Sequence, residues 1–193
     1  MRDFDIRTLL KNTKLLKYTT DGESKVVDEM RLPAAYARID LAVINGHFHG
    51  FEIKSAVDTL QRLPGQIEAY TKVFDYLYVV TEDKHCNKVM EALPDWVGVY
   101  LCQEKKGCSY IKQVRKAKKN KAKDGFYIAK LLWRNELVDI LEEYQIPFKK
   151  KERNWILCET LSSSFDVEAL SKIVREKLKV RPHTEFTRDY VEL

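Results

Sequence analysis

The stretch Tyr36 to Lys54, YARIDLAVINGHFHGFEIK, constrains the fold more than any other part of the chain. Two runs rich in β-branched and aromatic residues flank Asn45–Gly46, a dipeptide suited to a tight hairpin turn. Side chains alternate faces along a strand. Ile39, Leu41 and Val43 therefore share one face of the first strand, and Asp40 and Ala42 the other. In the second strand Phe51 and Ile53 share a face, opposite Gly50, Glu52 and Lys54. A two-residue turn would pair Asp40 with Phe51 and set an acid beside a core aromatic. A three-residue loop, Asn45 to His47, pairs Ile44 with Phe48 and Asp40 with Glu52; a bulge near the turn has the same effect. Burial of the apolar face selects this register, because a one-residue slip inverts every side chain. Asp40 and Glu52 are thus expected as cross-strand neighbours, about 5 Å apart at Cβ.

Facing carboxylates repel, so this register needs positive charge between them. Lys54, on the same face, supplies part of it, and a divalent cation could supply the rest. Hard oxygen ligands favour magnesium, manganese or calcium over zinc. A metal so held lowers the pKa of bound water and offsets charge developing on a phosphate, which suits phosphodiester hydrolysis. Lys54 would position or deprotonate that water, or stabilise the phosphorane. The competing expectation is a surface ion-pair cluster, in which Asp40 and Glu52 neutralise neighbouring lysines.

Around the hairpin the pattern predicts a helix over 3–17, with Ile6, Leu9, Leu10 and Leu16 on one face, and a strand over 25–31. A helix follows from about 59 to 74, striped by Leu60, Leu63, Ile67, Tyr70 and Phe74, its true start delayed by Pro64. A strand is expected over 75–81, a helix over 83–93, a strand over 96–102, and a partner strand over 108–114. This order predicts an α/β domain with a mixed central sheet flanked by helices, and crossover connections before the strands at 75–81 and 97–102. Helical patterns resume at about 126–145, 150–162 and 166–179, with Pro147 as a break and Asp166 as a plausible N-cap. The expected organisation is a core over 1–114, a basic linker over 115–125 and a helical C-terminal appendage over 126–193.

With 193 residues, 45% hydrophobic and 33% charged, the chain has an ordinary globular composition. The formal net charge of +5 permits nucleic-acid binding without requiring it. What matters is where the charge sits. Lys112, Arg115, Lys116, Lys118, Lys119, Lys121 and Lys123 form an acid-free run flanked by Tyr110 and Phe126, and are candidate phosphate contacts. A solvated loop is the other reading of that run. Lys149, Lys150, Lys151 and Arg153 would extend the basic surface. Cys86, Cys102, Cys108 and Cys158 form no CxxC pair and read as free thiols of a reducing cytoplasm. No apolar run reaches membrane-spanning length, so a cytoplasmic protein without a membrane partner is expected. His47 and His49 form an HxH without a third ligand and read as turn and strand residues.

Asp40 followed by Glu52–Ile53–Lys54 resembles the D…(D/E)xK signature of the PD-(D/E)XK nuclease superfamily, the restriction-endonuclease-like fold. The αβββαβ order to about residue 81 is similar to that family's core. Gln66–Ile67–Glu68–Ala69–Tyr70 resembles the QxxxY motif of its RecB-type and Cas4-type branch. The resemblance covers roughly the first 102 residues, and Ile39 stands where the family has its proline. It implies Asp40 and Glu52 as metal ligands with the Ile53 carbonyl as third oxygen, and Lys54 as catalytic lysine. Gln66 would orient the lysine or a phosphate, and Tyr70 would support the helix or touch the nucleic acid. A further acid upstream would be Glu29, with Asp28 and Glu23 as rivals. The implied function is a magnesium- or manganese-dependent DNA endonuclease or other phosphodiester hydrolase, in DNA processing, repair or phage defence. RNA stays open as substrate, and a homodimer fits the cutting of two strands. The alternative is a catalytically inactive nucleic-acid-binding or protein-interaction module; an exposed apolar stripe on 126–145 would favour the latter.

Overall fold

In a computed structural model describing residues 1–186, the hairpin takes the expected register. Strands β1 (Lys25–Arg31), β2 (Arg38–Ile44) and β3 (Phe48–Lys54) run antiparallel. Ile44 pairs with Phe48 and Leu41 with Phe51, so Asp40 and Glu52 face each other just beyond the last paired residues. Asn45 closes the three-residue loop: its amide donates to the His47 carbonyl at 3.1 Å, and its side-chain oxygen accepts from the His47 amide at 2.9 Å. Strands β4 (Tyr76–Glu82) and β5 (Gly98–Lys105) continue parallel, and β6 (Cys108–Arg115) returns antiparallel. The six-stranded mixed sheet has the order β1-β2-β3-β4-β5-β6.

The expectation of one apolar and one polar hairpin face is corrected. Ala42, Ile44 and Phe48 are as buried as Leu41, Val43 and Phe51, because helices cover both sides of the central strands. Ile39 and Leu41, expected on one face, lie in different core clusters. Alternation also breaks in β1, where Val27 and Met30 enter the same cluster three residues apart. The cause is Glu29, whose φ of 53° puts it in the left-handed region opposite Asp40.

Helix α1 (Asp3–Asn12) and α2 (Leu16–Thr20) cover one face with Ile6, Leu10 and Leu15. The single helix expected over 3–17 is interrupted. The Leu15 amide reaches back to the Leu10 carbonyl at 3.0 Å, which buries Leu15 and leaves Leu16 exposed. The opposite face takes α3 (Leu63–Thr71) and α4 (Asp83–Ala92), the two crossover helices, with Pro64 in the first turn of α3.

The helices α5 (Gly125–Ala129), α6 (Arg134–Glu143), α7 (Asn154–Ser164) and α8 (Val167–Val180) follow. The pattern over 126–145 divides because the Glu136 carboxylate caps the Trp133 amide at 2.6 Å and starts a new helix. Asp166 is the N-cap of α8, accepting from the Glu168 and Ala169 amides. Ile128, Leu137, Ile140, Leu157, Leu161, Val174 and Leu178 share one core with the sheet, so the apolar stripe over 126–145 is buried. Residues 187–193 of the expected appendage lie outside the described residues. Among the described residues no helix is long and apolar enough to cross a membrane.

Candidate functional site

The hairpin and α3 bring Glu52, Lys54, Gln66 and Tyr70 into one polar network inside the protein. Strand parity points Glu52 and Lys54 towards α3, where Gln66 and Tyr70 stand one turn apart. Lys54 Nζ lies 2.7 Å from Glu52 Oε1 and donates to Gln66 Oε1 at 2.9 Å. Gln66 Nε2 donates to Glu52 Oε1 at 2.7 Å. The Tyr70 hydroxyl is 2.6 Å from Glu52 Oε2 and 2.9 Å from the Arg38 carbonyl oxygen. Burial, then the Glu52 charge, push the Tyr70 pKa up, so the phenol keeps its proton to donate. Glu52 and Lys54 are only 2% and 5% exposed, and Tyr70 is fully buried, which removes it from any surface that could touch a nucleic acid. A buried pair of this kind persists because each charged group also has neutral hydrogen-bond partners, Gln66 for Lys54 and both Gln66 and Tyr70 for Glu52.

Asp40 belongs to a second cluster. Its Oδ2 accepts from the Ile53 amide at 2.6 Å, so Ile53 enters the site through its N–H. Its Oδ1 lies 3.4 Å from Arg7, which projects from α1. The same guanidinium donates to the Asp40 carbonyl at 3.1 Å, pairs with Asp3 at 3.0 Å and with Glu29, and lies 3.6 Å from Asp28. Glu29 also meets Arg38 at 2.6 Å, and Asp28 meets Lys11 at 2.5 Å. Glu23 stands apart, exposed in the loop before β1. Burial first, and the Glu52 charge second, raise the Asp40 pKa to about 7.

The expected metal ligands Glu29, Asp40 and Glu52 are therefore neighbours along the ladder, each already paired with a cation of the protein. Arg7 fills the space between the first two, and Lys54 neutralises the third. Among the described residues no three His, Cys, Asp or Glu side chains are grouped to hold a metal ion. As arranged, these acids do not form a shared cradle for magnesium. Nothing in the D…ExK spacing pointed to Arg7. Its signal was local: Asp3, Arg7 and Lys11 recur at helical spacing beside the buried Ile6 and Leu10, so α1 lays a cation against the acids of β1 and β2.

The basic run resolves differently. After β6 ends, the chain has no regular secondary structure from 116 to 124, yet it is fixed at several points. Ala117 is buried against Gly98, where an added Cβ would come within 2.7 Å of the Ala117 nitrogen. The Lys118 amide donates to the Trp96 carbonyl at 2.8 Å. Asn120 is buried; its amide donates to the Asp75 carbonyl, and its side chain to the carbonyls of Thr71 and Phe74. Lys123 turns inward, its side chain 2% exposed, to pair with the buried Asp75. Asp75 also accepts from the Phe48 amide at 2.8 Å and so ties the strip to the hairpin. Arg115 is spent on the carbonyls of Val97 and Pro94, and Lys119 pairs with Glu168 at 3.2 Å. Lys112, Lys116, Lys118 and Lys121 are exposed, and their side chains make no hydrogen bond or ion pair to any described residue. Sequence reasoning missed Asp75 and Asn120 because each acts through backbone partners distant in the chain.

Comparison with known proteins points away from a nuclease. A family model described as Bacteriophage P4 protein cII matches residues 4–192. The chain is 29% identical over 162 residues to "Protein cII" of Enterobacteria phage P4, a match covering 84% of this chain. The chain spans 61% of that relative's length. No solved structure matches. These matches overturn the expected assignment to the PD-(D/E)XK superfamily and its RecB- and Cas4-type branch. With it go the metal-dependent deoxyribonuclease activity and the description as endonuclease or hydrolase. The physical reason lies in the geometry above: the short D…ExK and QxxxY patterns are met by residues that satisfy one another.

Proposed function

The chain belongs to the family of bacteriophage P4 protein cII, and from that premise we propose that it is a DNA-binding protein that acts without cutting its ligand. The observation that carries this reading is the pinned basic strip. Ala117 and Asn120 anchor it inward, while Lys112, Lys116, Lys118 and Lys121 present unspent charge outward. A backbone already fixed has no loop to order on binding, and each neutralised phosphate releases counter-ions. Apart from the short α2 before β1, the α1-β1-β2-β3-α3-β4 order fits a restriction-endonuclease-like plan, which we read as a scaffold for this strip.

The test is fluorescence anisotropy with labelled oligodeoxynucleotides across a salt series. Wild-type protein should lose affinity steeply with salt. A variant with Lys112, Lys116, Lys118 and Lys121 all changed to alanine should bind more weakly, its log–log salt slope shallower by about 3. Absence of salt-dependent binding by the wild type, or an unchanged slope in the variant, would defeat the reading.

A further inference from the structure

We propose that the sheet face beside the basic strip, bearing His47, His49, Tyr76, Tyr78 and Tyr100, is a stacking platform for the bases of single-stranded DNA. The proposal rests on the DNA-binding reading and adds which form of DNA is held and where. Helices α1 and α2 do not cover this face to its end. They bury Leu41, Phe51, Ile53 and Val80, and along the edge of that cluster a run of half-buried rings crosses β3, β4 and β5, with Tyr78 and Tyr100 packed against it. The parallel register sets His49 beside Tyr76 and Phe51 beside Tyr78, and Val80 beside Tyr100. His49 and Tyr76 stack at 5.2 Å and 16°, and Tyr78 and Tyr100 at 4.8 Å and 25°. His47 stands edge-on to Tyr76 at 5.3 Å, its side chain 44% exposed at the hairpin loop.

Cations frame these rings. Lys17 lies 4.5 Å over the ring of Tyr18, which in turn meets His49 at 5.9 Å. On the far side the strip passes directly alongside, the Tyr78 ring and the Ala117 nitrogen both closing on Gly98, with the exposed Lys116 and Lys118 on either side of Ala117. Gly98 permits this approach, since a Cβ there would strike the Tyr78 ring at 2.4 Å. Burial, then the proximity of His47, lower the His49 pKa to about 4, so at neutral pH its ring offers an uncharged stacking surface. Tyr78 is closed on both faces, by Phe51 at 5.4 Å and Tyr100 at 4.8 Å, so bases stack at the end of the row, on Tyr76 and the half-exposed His47, while phosphates run along the lysines. A duplex presents phosphates to the lysines but keeps its bases stacked on one another and away from the rings.

Labelled dT15 and a duplex of equal length, titrated against the full chain at fixed salt, test this. The wild type should bind the single strand at least about tenfold more tightly. Tyr76→Leu keeps an apolar side chain and removes the π face. It should weaken single-strand binding about tenfold while leaving duplex affinity and the salt slope unchanged. His47→Ala, at the exposed loop, repeats the test without disturbing the sheet should Tyr76→Leu fail to fold, as judged by circular dichroism. Equal affinity for the two DNA forms, or folded variants that bind the single strand like wild type, would overturn the platform yet leave the strip as a DNA contact. Failure of the wild type to bind either form would instead remove the DNA-binding reading itself.

Discussion

Two polar regions flank the same parallel strands and resolve their charges in opposite ways. At the hairpin, Glu52, Lys54, Gln66 and Tyr70 close on one another, and Arg7 gathers Asp3, Glu29 and Asp40. At the basic strip, Lys112, Lys116, Lys118 and Lys121 are held over solvent without partners among the described residues. Both regions contain residues that sequence reasoning singles out for chemistry. Partnership separates them: groups matched inside the fold hold it together, and groups the fold leaves unmatched are free to act on a ligand.

The sharpest way to break this comparison is Glu52→Ala. It strands the Lys54 ammonium in a buried site and should cost about 3–5 kcal/mol in urea unfolding. DNA affinity of the folded fraction should stay within about twofold of wild type. Lost binding with retained stability would mean that the closed network contacts the ligand after all.

An effect of similar size is expected from Asp40→Asn, and it depends on pH. The Asp40 pKa is raised to about 7, against an ordinary value of 3.8, by burial and the Glu52 charge. The folded state therefore holds that proton more tightly than the unfolded chain. The stabilisation is fully present below pH 3.8 and lost as pH rises through about 7, on the order of 4 kcal/mol in all. His49 works the other way: its pKa falls from 6.5 to about 4, so its contribution is lost as pH drops through that window. In urea midpoints measured from pH 4 to 8, Asp40→Asn should remove the decline towards neutral pH and keep the acid-side decline. Parallel wild-type and variant profiles would show that Asp40 ionises in the folded protein as it does in the unfolded chain.

The elements were legible because they follow local rules. The hairpin came from Asn45–Gly46 and its register from the burial of Leu41 and Phe51; the start of α3 came from Pro64, and the cap of α8 from Asp166. The candidate site was legible as a cluster and illegible as chemistry. Parity and helical spacing brought Glu52, Lys54, Gln66 and Tyr70 together, but no spacing rule says whether acids meet a metal or an arginine from another helix. Arg7 reaches Asp40 across 33 positions, and Asn120 reaches Phe74 across 46. Two-sided burial was hidden for the same reason. Ala42 and Gly50 read as the polar face of a ribbon until α3 and the C-terminal helices are known to lie over it. The aromatic run was missed because Tyr76, Tyr78 and Tyr100 look like core residues in each strand alone and line up only through the parallel register.

The finest distinction between matched and unmatched charge lies between two adjacent residues of the strip. Lys118 is exposed and unpaired among the described residues, whereas Lys119 meets Glu168 at 3.2 Å. The pair is half-exposed on both sides, so losing it should change stability by less than about 1 kcal/mol. DNA binding should tell the two lysines apart. Lys118→Ala removes a free cation and should lower the salt slope by about 0.7–0.9, the value of one phosphate contact. Lys119→Ala should lower it less, because a phosphate must first compete with Glu168 for that ammonium. Glu168→Ala should then strengthen binding by releasing Lys119 to the ligand. If both lysine variants shift the slope equally and Glu168→Ala changes nothing, net charge governs binding here and the local pairing does not.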